Sequence, residues 1–481
     1  MKILHIAAEC YPAAKAGGLG DVVGALPKYQ NIQGHHSSVA IPRYKQPWIE
    51  KQLYERIYEG LIRLNEVYVP FNIQKTLNDD LGFQLYFVDI PGFFDRTGIY
   101  VDAQSGFGYA DEVERYLLFQ QAILQWIIVE SEEFEILHCH DHHAALIPFM
   151  VKHCPEFKSL QWIPTILTIH NGMYHGAFRW DNFSLLPYFD SEAYSLLEWG
   201  GVVNPLACGI KCCWAFTTVS PGYLNELTFS ANGIEALVKT EWHKANGIIN
   251  GIDRDIWNPS TDPLIAFRLD DNLSIFKEKN KQALAQRFQI SLKKPLITFI
   301  GRLVSEKGAD LLPNLIASCM EAGIDANFVV LGTGDPVLKE QFLAMKLHYS
   351  HYFDTSIEYN EALSHQLYAG SDFLIMPSRV EPCGLNQLYA YRYATIPIVR
   401  AVGGLADTVR DVGEANGTGI RFNQFSLEDA LWAVRRAVEL YHNTELLNQT
   451  RQRILQLDYS WDQSAQKYSA LYQKLAQYAN Q

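Results

Sequence analysis

The sequence predicts an α/β protein of two domains, and three observations carry that prediction. At 481 residues the chain exceeds what one hydrophobic core comfortably organises. From residue 295 onward, strand-like apolar runs (295–301, 327–332, 373–377, 396–400) alternate with helical patterns (308–321, 336–346, 384–394, 405–412). Such alternation implies a parallel sheet covered on both faces, whose ligands bind beyond the carboxyl ends of the strands. The opening MKILHIAAECYPAAKAGGLGDVVGALPK reads as a strand over 2–8, a glycine turn at Gly17-Gly18 and a helix start. That order places backbone N–H groups and the Lys15 cation where an anion can sit, although glycine also punctuates strands for structural reasons alone.

The remaining elements follow in order. The first half adds strands over 39–42, 84–89, 136–140 and 165–170, with helices over 111–130 and 144–153. Residues 182–200 are aromatic and polar without a clear period. GIINGIDRDIWNPSTDP, from Gly247, mixes Gly, Asn, Asp and Pro and reads as the entry to the second domain. The chain closes in helical stretches over 427–441, 444–457 and 462–479. The expected division is 1–246, 247–460 and a final helical segment 461–481.

Composition narrows the function. Apolar residues make up 48% and charged residues 19%, as in a folded globular protein. No run of about 18 apolar residues is present, and the first strand begins within two residues of Met1, which leaves no room for a targeting peptide. The eight cysteines show neither a CxxC pair nor a disulfide framework, so a cytoplasmic location is expected. A formal charge of −13 argues against nucleic acid or an anionic membrane as partner and sets no penalty against a neutral polymer.

Two loops of the second half carry chemistry. After the strand ending at Pro377 comes Glu381, then Cys383-Gly384-Leu385 opening the next helix. Free amides there suit phosphate and Glu381 suits hydroxyls, a pairing that points to a sugar nucleotide. After Gly301, Arg302 and Lys307 bring two cations able to clamp a diphosphate and stabilise it as a leaving group. Tyr359 offers an aromatic face to a base.

The run His138-Cys139-His140-Asp141-His142-His143 resembles a metal site at first sight. Strand alternation, however, sends His138 and His140 to one face and Cys139 and Asp141 to the other. Its spacing also departs from HxHxDH, so no metal is assigned. The run instead ends a strand and delivers Asp141, as the next strand delivers His170.

Taken together, KAGGLGDVVGALPK, HCHDHHAAL, TIHNGMYHG, GIINGIDRDIWNP, GRLVSEKGADLL and MPSRVEPCGLNQLYAYRYATIPIVR resemble the bacterial glycogen synthase and plant starch synthase family, in consistent order over nearly the whole chain. The resemblance implies a GT-B architecture, with two Rossmann-like domains facing a cleft and the last helix returning to the first. It implies transfer of glucose from ADP-glucose to an α-1,4-glucan with retention and no cofactor. By the same resemblance Lys15, Gly17, Gly18 and Asp21 bind donor, and Arg302 and Lys307 meet its diphosphate. Glu381 meets the sugar, with Cys383, Gly384, Leu385 and Asn386 around it, and Tyr359 lies against adenine. Asp141 and His170 line the glucose subsite, and Asn250 is the asparagine of the NG(I/V)D motif.

Asn386 stands where the family has Thr or Ser and is expected still to donate to phosphate; His142 replaces an aromatic. The nearest rival is a retaining transferase that uses UDP-sugars; many of those carry a second Glu where this chain has Tyr389. A metal-dependent hydrolase and a catalytically silent glucan-binding protein are rivals of other classes.

Overall fold

The computed structural model describes residues 1–78, 80–102, 105–129 and 134–479. The chain forms two compact units, one of Met1–Ile249 with the segment from Trp461 onward, the other Asn250–Ser460.

The first unit is built on a nine-stranded sheet. Its strands are β1 (Lys2–Ile6), β2 (His36–Pro42), β3 (Tyr54–Leu64), β4 (Val67–Thr76), β5 (Gln84–Asp89), β6 (Ile136–His140) and β7 (Thr165–Ile169). After a two-stranded ribbon, β8 (Glu198–Trp199) with β9 (Val202–Val203), come β10 (Ala215–Thr218) and β11 (Ala245–Gly247). The order is β11-β10-β7-β6-β1-β2-β5-β4-β3. All neighbours are parallel except β3–β4 and β4–β5.

Sequence reading missed β3 and β4. They pair from Tyr54↔Thr76 to Leu64↔Val67 around a two-residue turn whose first residue, Asn65, has φ +55°. Asn tolerates that left-handed conformation, and the turn suits a tight hairpin. The expected helix 144–153 begins only at Ile147. The helix expected over 111–130 runs Glu112–Val129, and Glu130 lies outside the described residues.

In the C-terminal helix, Trp461–Ala479, Trp461, Ala465, Tyr468, Tyr472 and Leu475 recur at helical spacing. They bury against Ile3, Val22, Leu26, Ile136 and Ile248, so this last element is part of the first unit's core.

The second unit's sheet is wholly parallel, with order β14-β13-β12-β15-β16-β17. Its strands are β12 (Leu296–Ile300), β13 (Asn327–Leu331), β14 (Phe353–Ser356), β15 (Phe373–Met376), β16 (Ile396–Arg400) and β17 (Ile420–Phe422). In both sheets the strand order reverses at one point, between β1 and β6 and between β12 and β15. Loops leaving adjacent strands there diverge to opposite faces, opening a crevice at the carboxyl edge. The residues singled out by the sequence follow these four strands and β7, except Asn250, which follows β11, and Tyr359, which follows β14.

Candidate active site

In the second unit, the loop after β12 holds Arg302 and Lys307 and the loop after β15 holds Glu381. Lys307 Nζ donates to Glu381 Oε1 at 2.6 Å, and Ser378 Oγ donates to Oε2 at 2.8 Å. Glu381 is 4% exposed. Its charge is sustained by that cation and hydroxyl. An ammonium has three N–H donors, so Lys307 keeps two for another acceptor.

The two loops are joined elsewhere as well. Arg379 pairs bidentately with Asp310 at 2.6 and 2.7 Å, and its backbone N–H donates to the Glu306 carbonyl at 2.8 Å. The guanidinium holds the Asp310 carboxyl below its ordinary value. Arg302 is loosely held by comparison: among the described residues its side chain meets only Glu306, at 3.5 Å, and is 65% exposed. An exposed pair of that kind contributes little, so Arg302 can turn to a ligand.

Gly308 ends the cationic loop at φ +68°, and a Cβ there would lie 2.0 Å from the Pro377 carbonyl oxygen. Only glycine fits this close approach. Gly308→Ala is expected to destabilise the protein by about 2 kcal/mol and to lower turnover with it, since Lys307 must shift. Thermal melting and steady-state kinetics check this; an unchanged melting temperature contradicts it.

One expectation about this loop is corrected. The helix starts at Asn386, not Gly384; Gly384 has φ +72° and Leu385 is the N-cap. One N–H of the Asn386 Nδ2 donates to the Ile300 carbonyl at 2.6 Å, which leaves the other for a further acceptor. Burial pushes the Cys383 thiol up to about 12, so its side chain is an inert packing group. Gln387, which sequence reading missed, holds the turn by donating to the Cys383 and Gly384 carbonyls at 3.1 and 2.9 Å. Asn250 joins the same neighbourhood: its backbone N–H bonds to the Cys383 sulfur. Its Oδ1 is buried without a partner among the described residues, an acceptor that calls for a donor. Tyr359, just beyond β14, is 81% exposed.

In the first unit, the glycine loop after β1 departs from expectation. Gly17 does not present a bare amide. Its N–H and that of Ala16 donate to Glu9 Oε2 at 2.8 and 2.6 Å, and Tyr100 donates to Oε1 at 2.6 Å. Glu9, 2% exposed, is thus the anion already held in that turn. No sequence signal beyond an acidic residue near a Gly-rich loop marks it. Lys15 pairs with Asp21 at 2.6 Å on the surface side. A Cβ at Gly17 or Gly18 meets nothing within 4 Å, so the space over the helix start is open.

Asp141 and His170 follow neighbouring strands β6 and β7. Asp141 has φ +53° and accepts the His170 backbone N–H on Oδ1 at 2.7 Å. That bond orders the loop and gives a reason for the strained backbone.

Among the described residues, two clusters have metal-like composition, His5/His138/His140 and Glu112/His142/His143. The first is committed to internal hydrogen bonds described below. In the second, burial lowers His143, with His142 and the buried Arg115 guanidinium adding to the effect, and that guanidinium opposes a second cation.

Comparison with known proteins fits this geometry. The family profile for the starch synthase catalytic domain matches residues 2–240, and that for group 1 glycosyl transferases matches 280–454. A glycogen synthase from Flavobacterium johnsoniae is 44% identical over 479 residues, covering 99% of this chain and 100% of that protein. The chain belongs to the glycogen synthase family. A glycogen synthase from Streptococcus gordonii is 36% identical, covering 99% of this chain and all of that one. The structure also matches the catalytic domain of Starch Synthase IV from Arabidopsis thaliana bound to ADP and acarbose, with TM-score 0.85 and 29% identity over 99% of each chain. Sucrose-phosphate synthase from Thermosynechococcus elongatus, 14% identical over 98% of each chain with TM-score 0.61, shares the fold. The chain is a glycosyltransferase of GT-B fold. No helix among the described residues is long and apolar enough to cross a membrane.

Proposed function

We propose that this glycosyltransferase moves glucose from ADP-glucose to the non-reducing 4-hydroxyl of an α-1,4-glucan, glycogen or a maltooligosaccharide, with retention at the anomeric carbon. The observation that carries the reading is the Lys307–Glu381 pair, one of its members buried, on loops that flank the switch point of a parallel sheet. Lys307 and Arg302 take up charge developing on the departing ADP, and so weaken the anomeric C–O bond. Positive charge grows on the sugar ring as that bond breaks. The acceptor hydroxyl attacks from the face the leaving group vacates, as retention demands. Glu381 and the main chain at His170 orient the sugar, and Asp141 holds the His170 loop. Lys15, Gly17, Gly18 and Asp21 form the donor-binding turn of the first unit. In the second unit Asn250, Gly384 and Leu385 border the sugar loop and Tyr359 faces adenine.

No cofactor beyond the donor is invoked. The eight cysteines are free and buried, which supports a reducing compartment, the cytoplasm.

The relative bound to ADP supports the adenine donor. So does Tyr389: it stacks on Trp257 with ring centroids 3.7 Å apart, filling the position where UDP-sugar enzymes carry a ribose-binding Glu. Turnover with ADP-glucose and with UDP-glucose, each with glycogen, tests the proposal by nucleotide release. Faster release from ADP-glucose is expected. A strong UDP-glucose preference overturns the donor assignment, and glucan binding without any release overturns the enzyme reading.

A further inference from the structure

A continuous chain of buried side chains crosses the first unit and ends at His170. It begins at Gln30 in the helix Gly18–Ile32. Gln30 Oε1 lies 2.8 Å from His5 Nε2 and 2.7 Å from Ser37 Oγ. His5 Nδ1 lies 3.0 Å from His140 Nε2, and His140 Nδ1 lies 3.0 Å from His170 Nε2. Gln30, His5 and His140 are wholly buried. Burial pulls His5 down to about 4 against the opposing pull of Gln30, and it lowers His140 and His170 as well. The rings are neutral at pH 7.

A neutral imidazole has one donor nitrogen and one acceptor nitrogen, so the direction of the first link fixes every later one. With Gln30 Oε1 facing it, His5 carries its proton on Nε2. His5 Nδ1 then accepts from His140 Nε2–H, and His140 Nδ1 accepts from His170 Nε2–H. His170 Nδ1 is left as a bare acceptor, with no hydrogen-bond partner among the described residues. A branch closes consistently. Gln30 Nε2 donates to Tyr472 Oη at 3.1 Å, and Tyr472 donates to His138 Nδ1 at 2.6 Å. His138 Nε2–H then goes to Thr168 Oγ1 at 2.6 Å, and Thr168 to Thr217 at 2.6 Å. Reversing one link alone would set two lone pairs or two N–H groups against each other in a dry interior, where an unmade hydrogen bond is expensive.

We propose that Gln30, His5 and His140 are positioning residues that lock His170 in the Nε2–H tautomer, so that its Nδ1 accepts, and does not donate, a hydrogen bond from a hydroxyl of the bound sugar. The sugar contact rests on the function proposed above; the tautomer does not.

Two-bond nitrogen–proton NMR correlations on the full-length protein with 15N-labelled histidine report each ring's tautomer, and His170→Gln assigns the signal. The expected native spectrum has His170 neutral with the proton on Nε2. His5→Gln still offers His140 an acceptor, so it should keep that tautomer and hold kcat/KM within about threefold of the parent. His5→Leu removes the acceptor, so it should give mixed tautomers at His170 and lower kcat/KM about tenfold. If circular dichroism shows that His5→Leu does not fold, Gln30→Leu makes the same cut at the far end of the chain. A native His170 protonated on Nδ1, or on both nitrogens at pH 7, overturns the proposal. So does a folded Leu variant whose His170 tautomer is unchanged. A native Nε2–H spectrum from a protein that transfers no glucose would sink the proposed function and leave the lock standing.

Discussion

Lys307→Ala is expected to lower kcat by about 10²–10³-fold, the loss typical of removing one preorganised donor from a developing negative charge. Two effects combine at this position. The ammonium no longer reaches the departing diphosphate, and Glu381, 4% exposed, keeps only the Ser378 hydroxyl of its two side-chain partners. A buried carboxylate short of a partner is costly, so it would shift toward water and its loop would move with it. Lys307→Arg keeps the charge but replaces a compact ammonium by a planar fork, so it should recover part of the activity. Steady-state kinetics with ADP-glucose and glycogen, beside a thermal melt, separates the catalytic loss from the structural one. Near-normal turnover in Lys307→Ala would mean that the cation does not serve the leaving group.

Asp372→Ala is expected to cost about 3–5 kcal/mol of stability, because it leaves two cations uncompensated in the interior. Asp372 accepts from Lys281 Nζ and Arg451 Nη2, both at 2.6 Å, and from the Leu296 backbone N–H at 2.8 Å. These partners lie on the helix Leu273–Phe288, on the helix Thr444–Leu455 and at the start of β12, so one carboxylate fastens two helices to the sheet. Burial alone would push its carboxyl up, but Lys281 and Arg451 outweigh it and hold the value below the ordinary one. A folded value below the unfolded one means that the stabilisation is complete above the unfolded carboxyl range, about 3.9, and is lost as pH falls through the lower folded value. Denaturant melts at pH 7 and at pH 3 therefore show a smaller gap between parent and variant at the lower pH. An equal gap at both would contradict this role.

What the sequence revealed depended on how local each cause was. Alternating strands and helices after residue 295 were readable because each element declares itself within a few residues. The face assignment of His138 and His140 followed from strand geometry alone, and both rings do point together, 4.3 Å apart. Lys307 and Glu381 were each visible at a strand end, but their pairing was not, since 74 positions separate them. The same limit explains the error at Gly17: the turn was legible, whereas the carboxylate that occupies its amides enters from Glu9, on the far side of the loop. The bond from Asn386 to the carbonyl ending β12 was hidden for the same reason, since its two ends lie 86 positions apart. The β3–β4 hairpin escaped because its turn, Asn65-Glu66, lacks the glycine that usually announces one.

Lys307 and Arg302, on loops at the carboxyl edge of the second sheet, are expected to hold a nucleotide diphosphate. Calorimetric titration of the full chain with ADP tests it most directly. One saturable site is predicted, its affinity sharply weakened in Lys307→Ala and in Arg302→Ala. An absence of binding heat, or an affinity unmoved by either substitution, would contradict it.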